Sequence, residues 1–377
     1  MPILDEKNLL EILRKTKKVI LLEPNYRRKY IPLGLAKIST YVKNHGGKSI
    51  YQREFRPCNE DLICLTSLFT YNSKNVLEEI SKIYSSYYFT QNESQIIVGG
   101  IYASLMHQDI LKRFPKAKVF LGYSKTLDMT PTDYTIDWQV KPPWNEFSHV
   151  FTTRGCPNSC AYCAVRKLEP DLWINPQWKK SVDLSKPNIM ISDNNLSAQP
   201  YDHIKEIVEF IVKHKKRVVF DNGFDCKHIE PKIVKLLAQL KFTRCGMRLA
   251  FDRIEEDGIF QKAVKMLLAA GIPKGQIMAY ILFNFCDTPK EAIYRAQECI
   301  KLGIRPYPQK YTPLNKKDKN ESFVGKHWTV NLARAFRHFF LMAGYYTKYD
   351  FLEWIQSEKW QKKFKISKKD VELCLEE

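Results

Sequence analysis

The sequence predicts an α/β protein with a doubly wound parallel domain first, an open six-unit (β/α) barrel second, and a helical extension at the C-terminal end. Three observations carry that prediction. Short apolar runs alternate with helix-length amphipathic segments along most of the chain, the pattern of strand–helix–strand units and parallel sheets. At 377 residues the chain exceeds what one hydrophobic core usually organises. A polar stretch with Thr and Pro, from Ser124 to Pro143, divides the alternation into two series.

In the first series, Lys18–Leu22 (KVILL) is an apolar run followed by a loop through Ile31-Pro-Leu-Gly34. Leu35, Ile38, Tyr41 and Val42 then share one face of a helix, which Gly46-Gly47 stops. Ser49–Tyr51 begins another extended piece, and Asp61–Phe69 (DLICLTSLF) has the composition of a buried strand. Gln95–Gly99 (QIIVG) and Lys118–Leu121 (KVFL) follow, each after a helix-length segment. Residues 1–125 are therefore expected to form a Rossmann-like doubly wound domain, with residues 126–146 as linker.

The alternation resumes at Phe147–Thr152 and continues through Asn188–Ser192, Val218–Asp221, Met247–Phe251, Ile277–Phe283 and Pro308–Thr312. Six such units fit a partial (β/α)6 barrel over residues 147–313, with its chemistry on the loops leaving the carboxyl ends of the strands. Residues 314–377 read as a helical, aromatic-rich extension capping the barrel, with Trp328, Phe336, Phe339, Phe340, Tyr345 and Trp354 as its apolar anchors.

Formal charge is +19, from 60 Lys and Arg against 41 Asp and Glu, and the excess gathers in clusters such as Arg27-Arg28-Lys29, Lys213–Arg217 and Lys359–Lys369. A polyanion partner, RNA above all, and a solvated basic surface both account for it. No run approaches the ~18 apolar residues of a membrane span, and Met1–Leu22 is charged throughout with no small-residue cleavage site, so a cytoplasmic location is expected. Ten cysteines scattered over so long a chain do not form a secreted disulfide framework; they are expected as free thiols or ligands.

Three of them are not scattered. Cys156, Cys160 and Cys163, in TTRGCPNSCAYCAVRKLEP, stand at C-x3-C-x2-C spacing on the loop leaving the first barrel strand. With cysteine at 10 of 377 positions, this spacing arises by chance about 0.007 times per chain, so it needs a chemical reason. A structural zinc wants four closed ligands, and no second C-x2-C or H-x3-H pair accompanies the three. Three thiolates suit a [4Fe–4S] cluster with one iron left open.

The stretch resembles the signature of the radical S-adenosylmethionine (SAM) superfamily, C-x3-C-x2-C with an aromatic residue, here Tyr162, before the last cysteine. The upstream Leu22-Glu-Pro24, Pro32-Leu-Gly34 and Val98-Gly-Gly100 resemble the cobalamin-binding-type domain that precedes many such barrels. The resemblance implies a cluster held by the three cysteines, SAM chelated at the open iron, and an electron donor of flavodoxin or ferredoxin type. It implies reductive cleavage of SAM to a 5′-deoxyadenosyl radical, chemistry owned by the cofactor while the protein supplies position and dryness.

Further SAM contacts follow from position at strand ends. Family members often place a Gly-Gly-Glu-type segment after the second strand; here the place reads Ser192-Asp193-Asn194-Asn195, so Asp193 or Asn195 would hold the SAM amine, unless Asp193 is a turn or helix cap. Arg248 would pair with the SAM carboxylate or ribose, or merely face the barrel interior; Asn222 and Asn284 rank lower. The Asp-x-His-x-x-Gly loop of base-off cobalamin sites is absent, so the front domain is expected as a shrunken relative that has lost the cofactor, with cobalamin held without histidine ligation as the alternative. Cys64 and Cys299 read as buried hydrophobes, while Cys58, Cys226, Cys245 and Cys286 do not group into a second cluster. The expected function is a radical SAM enzyme acting on RNA or on a small molecule, lipid precursor or peptide; the alternative is a non-catalytic iron–sulfur or zinc protein that binds nucleic acid.

Overall fold

The computed structural model describes residues 2–86, 95–317 and 323–375. Its contacts define two compact units, Met1–Ile189 with Leu314–Lys319, and Met190–Pro313 with Asn320–Glu377. The expected front domain and C-terminal extension each include a few residues outside the described ones.

The first unit begins with β1 (Ile3–Leu4), α1 (Glu6–Lys15), β2 (Lys18–Leu22), α2 (Leu33–Asn44), β3 (Lys48–Gln52), β4 (Leu62–Ser67) and α3 (Ser73–Ser85). It continues with β5 (Gln95–Gly100), α4 (Ile101–Arg113), β6 (Lys118–Phe120) and α5 (Lys125–Met129). The strands form one sheet in the order β1-β6-β5-β4-β2-β3, with each neighbouring pair parallel, Val19 opposite Leu62 and Leu62 opposite Gln95. Winding reverses between β2 and β4, which makes the sheet doubly wound.

Strand alternation explains why both faces are dry. Ile20 and Leu22 join Ile63, Leu65 and Val98 on one face, covered by Val76, Ile80 and Ile83 of α3 and by Tyr102 and Ile110 of α4. Val19 and Leu21 point the other way, with Cys64 and Ile97, beneath Leu9 and Leu13 of α1 and Leu35 and Val42 of α2. Leu127 and Trp138 belong to that second core, and Trp138 donates its indole N–H to the Asp133 carbonyl at 2.7 Å. The polar stretch between the two series therefore carries a helix, α5, capped by the Ser124 hydroxyl, and is packed onto the front sheet. The unit also holds β7 (Phe147–Val150), β8 (Thr153–Arg154), α6 (Val165–Leu168) and β9 (Trp173–Ile174).

β10 (Asn188–Ile191) runs across the division between the units. The second unit then alternates through α7 (Tyr201–Lys213), β11 (Arg217–Phe220), β12 (Phe224–Asp225), α8 (Pro231–Leu237), β13 (Lys241–Phe242), β14 (Met247–Ala250), α9 (Ile259–Ala269), β15 (Ile277–Phe283), α10 (Pro289–Lys301) and β16 (Arg305–Lys310). Asp221 donates its backbone N–H to Ile191, and Phe220 donates to Gly246, both at 2.8 Å, linking successive barrel strands. β14, β15 and β16 are parallel and in register, Met247 with Ile277 and Met278 with Arg305. Their helices bury one stripe each, as Phe260, Val264 and Leu267 do on α9. Thr288, Pro289 and Glu291 start α10 with a capping box and a proline in the first turn.

Among the described residues, five helices follow: α11 (Val330–Leu341), α12 (Ala343–Tyr346), α13 (Phe351–Gln356), α14 (Glu358–Phe364) and α15 (Lys368–Glu372). Phe283 at the end of β15 packs on Phe336 and Trp328, with ring centroids 4.7 and 5.1 Å apart. The aromatic anchors of the extension thus close the carboxyl end of that strand. No helix among the described residues is long and apolar enough to cross a membrane.

Candidate metal centre

The cysteine loop lies in the first unit and begins at a neck made by β8 and β9, which pair antiparallel with Arg154 opposite Trp173. Arg154 closes that neck. Its Nε and Nη2 donate to the two oxygens of Asp128 at 2.6 and 3.0 Å, and its Nη1 donates to Glu169 Oε1 at 2.8 Å. Glu169 uses its other oxygen to accept the Gly155 N–H at 2.8 Å, so one carboxylate joins the start of the loop to its end. The guanidinium also lies over the Phe151 ring, 3.6 Å from its centroid. Gly155 has φ +79°, and a Cβ there would stand 2.3 Å from the Asp171 carbonyl oxygen, so the loop turns where only glycine fits.

Asp128 is itself held from behind. Its backbone carbonyl accepts from Lys37 Nζ at 2.7 Å and from Asn175 Nδ2 at 2.9 Å. Lys37 is buried, and burial pulls its pKa down to about 8 against the raising influence of Asp128. This chain of charges was not visible in the sequence: Arg154 and Glu169 flank the motif without a spacing rule, and Asp128 and Lys37 lie far upstream of it.

Within the loop, Cys163 donates its backbone N–H to the Cys160 carbonyl at 3.0 Å, a turn that ends just before α6. Cys156, Cys160 and Cys163 are all partly buried, and no cysteine of the ten is in a disulfide. Among the described residues, no three His, Cys, Asp or Glu side chains are gathered as ligands of a single metal ion. A closed zinc site takes four ligands, and the loop offers three thiols with no imidazole or fourth thiol; three thiols are the donor set of a [4Fe–4S] cluster with one iron left open. Tyr162, the aromatic residue before the last cysteine, is likewise partly buried.

The other candidate residues belong to the second unit. Asp193 and Asn195 are both buried just past β10. Asn195 precedes a single 3-10 turn, and its Oδ1 accepts from the Ser197 hydroxyl at 2.8 Å; Ser197 in turn bridges to the Asp225 backbone. Arg248, on β14, is ion-paired with Asp221, and its Nη1 donates to Tyr280 Oη at 2.7 Å. Asn222 donates to the Ser192 carbonyl at 2.8 Å. Asn284 has φ +68° and is completely buried, accepting from the Gly325 N–H at 2.9 Å and donating to Tyr311 and Phe323; it anchors the start of the extension.

At the carboxyl end of β2, where the front sheet reverses its winding, a ligand crevice would be expected. Glu23 fills it: its carboxylate is buried and meets Arg28 at 2.5 Å, the Tyr51 hydroxyl at 2.6 Å and Arg53 at 3.4 Å. Burial pushes the Glu23 carboxyl up, and Arg28, Tyr51 and Arg53 pull it back. Arg28, part of a basic cluster in the sequence, is therefore an interior ion-pair partner. His45 is the C-cap of α2, at the far end of that helix from the β2–α2 loop. His149, on β7, is buried with its ring against Tyr30 of the β2–α2 loop, centroids 5.2 Å apart. This donor set does not fit a corrin ligated through an Asp-x-His-x-x-Gly loop.

No protein-family model matches the chain, and no curated protein matches it. Solved structures do. The chain's architecture, a doubly wound parallel sheet followed by alternating strands and helices, is like that of two solved structures. It is similar to TsrM, a radical SAM methyltransferase from Kitasatospora setae, in a structure with cobalamin and a [4Fe–4S] cluster bound: TM-score 0.58 and 15% identity over 80% of this chain and 77% of that one. TsrM with tryptophan substrate and the SAM analogue aza-SAM bound gives TM-score 0.56 and 15% identity over 79% and 75%. At that identity the likeness is one of fold.

Proposed function

We propose that the chain is a radical SAM enzyme in which Cys156, Cys160 and Cys163 hold a [4Fe–4S] cluster and leave one iron for SAM. The observation that carries the reading is the C-x3-C-x2-C loop leaving β7, in a chain whose fold is similar to that of the radical SAM methyltransferase TsrM. When bound, cluster and SAM together supply a one-electron reductive cleavage that yields a carbon radical able to take hydrogen from a substrate. The chain's own residues do the rest. Arg154 and Glu169 fix the neck of the thiol loop, and Tyr162 shields the last cysteine from water. Asp193 and Asn195 are assigned to the SAM amine, and Arg248, already oriented by Asp221 and Tyr280, to its carboxylate or ribose. A flavodoxin or ferredoxin type donor supplies the electron. The Glu23 network supports a front domain that works without histidine-ligated cobalamin.

Anaerobic reconstitution with iron and sulfide tests the reading. About four irons per chain are expected, and reduction with SAM should release 5′-deoxyadenosine. Replacing any one of the three cysteines with Ala should abolish both. A protein that holds one zinc and no sulfide would overturn the assignment.

A further inference from the structure

In the second unit, three cations gather at the amino-terminal ends of neighbouring strands: Arg244 and Lys274 on the segments leading into β14 and β15, and Arg305 as the first residue of β16. All three line one cavity of about 250 Å³, shared with Gly303, Cys245 and Tyr346, and the lining contains no Asp or Glu. Among the described residues, none of the three cations has a carboxylate at ion-pair distance. Arg305 Nε is buried with no hydrogen-bond acceptor, while Nη2 reaches the Leu341 carbonyl at 3.5 Å.

The arrangement is shaped by the backbone. Gly303 has φ +74°, and a Cβ there would lie 2.8 Å from Cδ and 3.0 Å from Nζ of Lys274, so the absent side chain lets the lysine lie across the start of β16. Tyr346 lines the same cavity as Arg244 and Arg305; burial raises its phenol and the two arginines act against that rise. Three cations gathered without an acid repel one another unless an anion neutralises them. Guanidinium forks and an ammonium suit the tetrahedral oxygens of phosphate better than a planar carboxylate, which two of the three would satisfy.

We propose that this cavity is a phosphate-type oxyanion site, built wholly from the second unit at the strand ends opposite those expected to carry the chemistry. Its ligand is either a free phosphate or phosphomonoester, or one phosphate of a polynucleotide backbone. Arg305 and Arg244 donate to it, Lys274 closes over it, and Tyr346 Oη supplies a neutral donor.

The test titrates inorganic phosphate into the full chain at ionic strength held constant with sodium chloride, following heat and melting temperature. One saturable site that raises the melting temperature is expected. Arg305→Gln should weaken it by at least about tenfold, the loss of a charge-assisted hydrogen bond. Arg244→Gln, at an exposed position that leaves packing alone, should weaken it too, and Lys368→Gln, on α15, should not. A short single-stranded RNA distinguishes the sources. If phosphate displaces it and Arg244→Gln weakens both, the site takes a backbone phosphate; if the variant loses only phosphate, it takes the free anion. Absence of saturation at matched ionic strength, or equal affinity in all folded variants, would overturn the proposal.

Discussion

Arg154 is not a ligand in the proposed function, yet it limits what the three thiols can do. A guanidinium can hold Asp128 through two donors and Glu169 through a third because its donors are splayed in a plane; an ammonium cannot reproduce that fork. In Arg154→Lys the charge survives and the fork does not. Metal-free protein should then alkylate at Cys156, Cys160 and Cys163 several-fold faster than wild type, read by peptide mass, and reconstituted protein should keep less than half its iron. Unchanged alkylation would make the clasp irrelevant to the loop, whatever the cluster does. Lys37, behind Asp128, gives a second residue-scale test. Its folded pKa of about 8 lies below the ordinary lysine value of 10.5, so the unfolded chain binds the extra proton between those pH values. Stability should therefore rise with pH through that window, by up to about 3 kcal/mol relative to Lys37→Met, which has no proton to lose. Denaturant titrations of both proteins from pH 7.5 to 10.5 would show parallel curves if the lysine were solvated.

Among the elements, those that bury a whole strand or a clean helical stripe were legible in the sequence, and those anchored by single side chains were not. Lys18–Leu22 reads as a strand because four of its five residues are apolar and both of its faces are covered. The Ser124–Pro143 stretch has no such period; it is held by Leu127, Trp138 and the buried Asp133, residues too far apart to form a pattern. The three cysteines were legible because thiols are rare, whereas the clasp that closes their loop uses common charged residues brought together only by folding. α14 shows what composition leaves open within an element. Its lysines and aromatics read either as a polyanion surface or as a helix packing its aromatics with lysines outward; Phe364 is buried, and Lys359 and Lys363 stand over the half-buried Trp360 ring at 4.9 and 4.8 Å from its centroid. Phe364→Ala should cost about 3 kcal/mol, the usual range for a buried aromatic, and Lys363→Gln about 0.5 kcal/mol for an exposed cation–π contact. Comparable losses at the two positions, measured by urea unfolding, would mean that the helix is held by its charges.

At the scale of the whole molecule, the proposed function divides its residues between the two units, since the three thiols belong to the first and Asp193, Asn195 and Arg248 to the second. Cluster and SAM should therefore leave separate marks. A group bound only by the native chain stabilises whatever structure its ligands close, and local opening falls first where the ligands sit. Cluster assembly without SAM should slow amide exchange from Thr152 to Asn175, where β8, β9 and the Glu169–Gly155 bond share one neck. The strands β14, β15 and β16 should be unmoved, because none of the three thiols belongs to the second unit. Adding SAM should then slow exchange at Asp193–Ser197, where Asn195 and Ser197 are already joined to the Asp225 backbone, and at Arg248. Cys160→Ala should lose the first effect and with it the second, because SAM without the open iron has no chelate to anchor it. If SAM protected Asp193–Ser197 equally in Cys160→Ala, the two units would bind their ligands independently and the assignment of Asp193 and Asn195 to a cluster-bound SAM would fail.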